Sequence, residues 1–237
     1  MVWFCNLDVR NYYTVANFYD VFHRKKAAML LEAAESQLVL VDYQAKLMPA
    51  ILEAEGVLQN AVRLGKIAQL LRVPVWGTEE NVGSLGPNVP QVKTLCGKTL
   101  EKMHFSAVQD GLVDWLRPVG QAPANAQNRQ GGNARSLPKH LQKAVPQPAV
   151  PERNTIVIAG CEAHVCLLQT ALELLEEEFD VWVVTDACSS RSERNRDAAF
   201  DRLAGAGAEL VTTEMVAFEW LRTVEHLQFK AVLQVVK

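Results

Sequence analysis

From Gln37 onward, apolar positions follow two alternating patterns. The run QLVLVD (37–42) is short, unbroken and ends on Asp42, whereas ILEAEGVLQNAVRLGKIAQLL (51–71) repeats its apolar residues at helical spacing. The first pattern predicts a buried strand and the second an amphipathic helix. PVWGT (74–78) reads as a second strand, NVGSLGPNVPQ (81–91) as a loop from its Gly, Pro and Asn content, and VQDGLVDWL (108–116) as a short helix. The alternation resumes with the strand TIVIAG (155–160), a helix across HVCLLQTALELLEEE (164–178) and the strand DVWVVTD (180–186). A helix across ERNRDAAFDRLAGAG (193–207), the strand ELVTT (209–213) and a helical stretch running to Lys237 complete the series. Strands separated by helices predict an α/β fold: a three-layer α/β/α sandwich whose doubly wound sheet is mainly parallel and covered on both faces.

Two stretches stand outside this rhythm. Residues 1–35 are rich in aromatics, carry a basic cluster from His23 to Lys26 and show no clean period. They read as an N-terminal extension without assigned chemistry, with Met29 an alternative initiator. Residues 117–153 are rich in Pro, Gln, Asn, Ala and Gly, a composition that buries little apolar surface. They read as an exposed insertion within a domain spanning 36–237.

Composition narrows the setting. A chain of 237 residues, 49% apolar and 22% charged, is that of one globular domain with a sizeable core. Twenty-four basic against 27 acidic residues give a net charge of −3 without a long basic stripe, so nucleic acid is not an expected partner. No apolar run reaches the roughly 20 residues of a membrane span, and the N-terminus lacks the order of a secretory signal. Five cysteines, odd in number and with no C-x-x-C pair, suggest neither a disulfide framework nor a zinc knuckle. A reducing, cytoplasmic location is expected, with no membrane contact.

In open parallel sheets, ligands collect beyond the carboxyl ends of the strands. Three reactive side chains are expected at such positions: Asp42 after the first strand, Lys102 in EKMHFSA, and Cys166 six residues beyond TIVIAG. Cys166 falls in the first turn of a predicted helix, where the dipole and unpaired N–H groups are expected to stabilise a thiolate. Asp42 supplies a base for the thiol proton and Lys102 a cation for the sulfur. Backbone N–H groups of Cys166 and Glu162 are candidates to hold a developing oxyanion.

The segments VLVDYQ, KMHFS and AG-x-EAHVC-xx-QTA resemble the isochorismatase-like hydrolase superfamily over roughly residues 37–230. TEENVGSLGPNVPQ and VTDACSSRS are most similar to its isochorismatase-domain-containing branch. The resemblance implies a Cys–Asp–Lys triad, a thioester intermediate and a cis peptide between Cys161 and Glu162. It also implies a small-molecule substrate and a homo-oligomer, for which WLRTVEHLQFKAVLQVVK offers apolar residues. Nicotinamidase members bind a metal through an Asp and several His, whereas the matching loop here offers Glu79, Glu80 and Asn81. No metal or other cofactor is therefore expected. True isochorismate hydrolases lack the nucleophilic cysteine, so Cys166 points instead to a small amide or related acyl substrate.

Around this trio, Glu79 and Glu80 are expected on the loop after the second strand as acceptors for a substrate amide or amine. Arg191 is a candidate for holding a substrate carboxylate, with loop capping an equal account. His164 points about 200° away from Cys166 around the helix, and His104 is similarly offset from Lys102, favouring structural roles for both. Cys161 and Cys188 read as buried packing residues. Two other classes stay open: a non-catalytic binding or scaffold protein on the same fold, and a thiol redox protein pairing Cys166 with Cys161 or Cys188.

Overall fold

Strands β1 (Ser36–Val41) and β4 (Thr155–Gly160) are buried along their entire length, which is why both read as unbroken apolar runs rather than as alternation. They pair in parallel at the centre of a sheet completed by β2 (Val75–Glu80), β3 (Lys98–Lys102), β5 (Asp180–Val184) and β6 (Glu209–Val211). The strand order is β3-β2-β1-β4-β5-β6 and every pairing is parallel. The computed structural model describes residues 30–117 and 153–237, and the unit described here begins at Leu31. The expected N-terminal extension up to residue 29 lies outside the described residues, as does the expected insertion between Arg117 and Arg153.

The α-helices of five or more residues are α1 (Ala54–Leu70), α2 (Leu112–Leu116), α3 (Leu168–Glu176), α4 (Glu193–Gly205), α5 (Thr213–Leu221) and α6 (Phe229–Val236), and single helical turns at Val82–Leu85 and Pro90–Lys93 interrupt the stretch expected to be all loop. In α1 the buried residues Val57, Ala61, Leu64, Gly65, Ile67 and Ala68 form one stripe at helical spacing. That stripe faces the sheet, and α1 packs beside α5 and α6 on one face while α3 and α4 pack together on the other. The result is the expected three-layer sandwich. Side-chain caps set two helix starts: Ser192 accepts from Asn195 N ahead of α4, and Thr212 accepts from Met215 N ahead of α5. Before β1, Leu31 is buried in the core and its backbone N–H donates to Glu219 Oε2 at 2.8 Å.

The strand order reverses between β1 and β4, since the chain builds β2 and β3 on one side of β1 and then crosses back to build β4 on the other. Such a switch point leaves a crevice beyond the carboxyl ends of the two central strands. Gly160, the last residue of β4, faces Val41 across this junction, where an added Cβ would lie 2.5 Å from Val41 Cβ. Only glycine lets the strands approach this closely.

Candidate active site

Asp42 is the first residue beyond β1. Its backbone is left-handed at φ 53°, a conformation that Asp tolerates better than most residues, and its N–H still donates to Thr78 O at 3.2 Å. The side chain is fully buried: Oδ1 accepts from Thr78 Oγ1 at 2.7 Å, and Oδ2 lies 2.8 Å from Lys102 Nζ. Lys102 ends β3 and is equally buried. Its ammonium also donates to Glu80 Oε2 at 2.6 Å and to the carbonyls of Phe105 at 3.1 Å and His104 at 3.3 Å. Burial alone would pull the Lys102 pKa down, but Asp42, Cys166 and Glu80 outweigh it and the net direction is up.

β4 runs into a cis peptide between Cys161 and Glu162, at the bond the resemblance implied. A π-helical turn, Ala163–Leu167, follows and leads directly into α3. Cys166 sits in this turn, 6% exposed, with its thiol facing the Asp42 carboxylate. The ligand atoms of Cys166, Asp42 and Glu80 all lie within 4.8 Å of one another. Among the described residues these three form a group with metal-ligand spacing, yet the Lys102 ammonium already bonds both of its carboxylates. The cation in this nest is the protein's own.

One expectation needs correction. A helix N-terminus was expected to favour a thiolate at Cys166, but burial, then the Asp42 charge and hydrogen bond, then Glu80 push the thiol upward, and Lys102 offsets this only in part. Two carboxylates against one ammonium leave a formal excess of one negative charge, into which a second anion ionises with difficulty. The net direction is toward a protonated sulfur.

Glu79 and Glu80 are the second correction. Both lie inside β2 rather than on the loop after it, and the pleat sends them to opposite faces. Glu80 joins Lys102, whereas Glu79 accepts from Asn88 N at 2.8 Å and from Lys93 Nζ at 3.1 Å, away from Cys166. The parallel register Glu80↔Lys102 was the signal for the first contact, but it is visible only once Lys98–Lys102 is recognised as a strand. Two further partners went unassigned from sequence: Thr78 on Asp42, and Gln44. Gln44 Oε1 accepts from Glu80 N at 2.8 Å, while its Nε2 donates to Glu80 O at 2.8 Å and also to Gly86 O.

Arg191 pairs with Glu162, its N and Nε both donating to Glu162 Oε2 at 3.2 and 2.9 Å, and most of its side chain is exposed. His164 Nδ1 lies 2.9 Å from Ser190 Oγ and His104 Nδ1 lies 3.1 Å from Asp110 Oδ1, so both histidines are engaged outside the Lys102 cluster. Cys161 and Cys188 are buried, and burial pushes the Cys161 thiol up to about 12.

This geometry can be set beside known proteins. Residues 133–215, which include Cys166 and Glu162, match the isochorismatase domain model. Isochorismatase domain-containing protein 2 of Rattus norvegicus is 32% identical over 202 residues, covering 85% of this chain and 81% of that protein. The Homo sapiens protein of the same name is 33% identical, covering 85% and 83%. Among solved structures, the MAR1 ribonuclease of Caenorhabditis elegans superposes with a TM-score of 0.71 at 27% identity, covering 88% of this chain and 92% of that one. The YcaC gene product of Escherichia coli, described as an octameric hydrolase of unknown specificity, shares the fold with a TM-score of 0.65 at 23% identity, covering 90% and 98%. With sheet order and sequence in agreement, the chain belongs to the isochorismatase-domain family.

Proposed function

We propose that this protein is a cysteine hydrolase of a small amide or related acyl substrate, with Cys166 as nucleophile, Asp42 as proton acceptor and donor, and Lys102 as the fixed cation. The observation that carries this reading is the convergence of a thiol, a carboxylate and an ammonium from three chain segments into one buried contact set at the switch point. As Cys166 Sγ bonds the carbonyl carbon, its proton passes to Asp42 and the carbonyl oxygen takes the negative charge. The backbone N–H groups of Glu162 and Cys166 hold that oxygen. Collapse expels the amine, which leaves with the proton from Asp42, and a thioester remains on Cys166. Water then gives a proton to Asp42 as it attacks the thioester. The acid departs, and the sulfur regains its proton.

The resting thiol fits this order, because ionisation then accompanies bond formation instead of preceding it. Of the charged side chains first considered for substrate, we assign Arg191 to its approach and exclude Glu79, while Glu80 is committed to Lys102. Lys102 already fills the acidic nest, which supports a reaction without a resident metal. The C. elegans neighbour is named a ribonuclease. Here the formal negative excess around Lys102 disfavours a phosphodiester and favours a neutral amide. The free cysteines support a cytoplasmic protein, and the octameric E. coli neighbour supports a homo-oligomer.

The test is a screen of small primary amides and activated esters by ammonia or acid release, with intact-mass detection of an acyl adduct. We expect an adduct on Cys166 that is absent in Cys166→Ser, and a turnover loss of about 10²- to 10⁴-fold in Asp42→Asn. Turnover unchanged in both variants would overturn the triad, and neither turnover nor adduct on any of these substrates would leave the fold as a binding module.

A further inference from the structure

Lys102 has one more carboxylate than the proposed chemistry requires. Asp42 alone could hold the ammonium near the sulfur, yet Glu80 Oε2 is the nearer partner at 2.6 Å against 2.8 Å. Glu80 is fixed there from both sides. Gln44 clamps its backbone N–H and C=O, and its register partner in β3 is Lys102 itself. Its side chain reaches the same 4.8 Å circle that contains Cys166 Sγ and the Asp42 carboxylate.

Resting on the cysteine-hydrolase reading, we propose that Glu80 is a positioning residue which, by sharing the Lys102 ammonium with Asp42, keeps the Cys166 sulfur protonated in the substrate-free enzyme. The charged groups facing Glu80 are Asp42 beyond β1, Lys102 at the end of β3, and Cys166 in the turn before α3. Other charges nearby are committed elsewhere: Glu79 to Lys93 on the opposite face, His104 to Asp110, and Glu162 to Arg191. With Glu80 in place, ionising the sulfur would set three anions around one cation. Without its charge, Lys102 and Asp42 balance and a thiolate adds only one uncompensated charge. The enzyme thereby holds a sluggish nucleophile at rest, protected from adventitious alkylation and oxidation, and gains reactivity only when a carbonyl is present to accept the electron pair as Asp42 takes the proton.

Glu80→Gln tests this, since it keeps the shape and still accepts from Lys102 while removing the charge. A carboxylate within 4.8 Å of a thiolate raises its pKa by about one unit or more. Below its pKa a thiol alkylates in proportion to its thiolate fraction, so iodoacetamide should modify Cys166 about tenfold faster in Glu80→Gln than in wild type at about pH 8. Glu80→Asp, which retains the charge, should stay within about twofold of wild type by the same proportionality. Intact mass with peptide mapping assigns the site, and a melting curve on each variant separates electrostatics from loosened packing, which would label several cysteines together. A Glu80→Gln rate equal to wild type, with Cys166 still the modified residue, overturns the role of Glu80 and leaves the nucleophile intact. Labelling that persists in Cys166→Ser overturns the underlying reading instead.

Discussion

Replacing Gly160 with alanine probes the junction on which the whole site depends. The new Cβ would lie 2.5 Å from Val41 Cβ and closer still to Val41 O, both on the neighbouring central strand. Ordinary carbon contacts begin near 3.5 Å, so β1 and β4 must part by about 1 Å at their carboxyl ends. Neither atom belongs to a flexible side-chain tip that could swing aside. Overpacking of this kind costs about 1–3 kcal/mol. The Cys161 N–H bond to Val41 O, 3.0 Å long, is strained or lost at the same place, adding on the order of 1–3 kcal/mol. Taking about 3 kcal/mol as the working value, a domain of this size should melt about 6–12 °C lower by calorimetry. Because Asp42 follows Val41 and the Cys161–Glu162 peptide follows Gly160, the same displacement separates base from nucleophile, and acyl-adduct formation on Cys166 should fall together with stability. A Gly160→Ala variant melting within about 2 °C of wild type would refute the close-approach argument.

Other consequences can be checked independently. Lys102→Ala strands the Asp42 and Glu80 carboxylates without their cation, and denaturant titration at neutral pH should show a loss of about 3–5 kcal/mol; a loss under 1 kcal/mol would mean that water reaches the site freely. Stability should also fall in alkali. Cys161 has an ordinary value of 9.0 when unfolded and about 12 in the fold, so between these values the unfolded chain binds fewer protons than the native one. Stability from this thiol is complete below pH 9 and declines by about 1.4 kcal/mol per unit as pH rises through the window. Lys102, also raised in the fold, loses its contribution in the same direction above 10.5. In Cys161→Ala the alkaline slope should be shallower by one proton, and an unchanged slope would contradict the assignment.

What could be read from the chain depended on how many faces each element buries. β1 and β4, covered on both sides, advertise themselves as apolar runs, and α1 as a stripe of Val57, Ala61, Leu64 and Ala68. β3 is an edge strand and reads Lys-Thr-Leu-Glu-Lys, with only Lys102 buried, so nothing in its pattern separates it from a loop. Missing that strand hid the register that brings Glu80 to Lys102. It also left β2 two residues short, which is why Glu79 and Glu80 were expected to act together when the pleat sets them apart. Strand-end placement and the resemblance singled out Cys166, Asp42 and Lys102, and the fold brings the three side chains together. The charge state of the sulfur did not follow from them, because it depends on how many carboxylates share one ammonium, a quantity that only three-dimensional distances supply.

Gln44 shows how one strand can depart from a parallel sheet without leaving its neighbour's peptide groups bare. The β1–β2 ladder ends at Val41 and Thr78, where the chain turns away at Asp42, and Glu80 lies two residues further along β2. A primary amide carries one acceptor and one donor face in a single plane, as a peptide unit does. Placed against Glu80 N and O, the Gln44 side chain adds a counterfeit rung to the ladder after the strand itself has departed. Gln44→Glu would keep the acceptor but turn the donor face into a second acceptor opposite Glu80 O, so this borrowed rung hangs on one nitrogen atom.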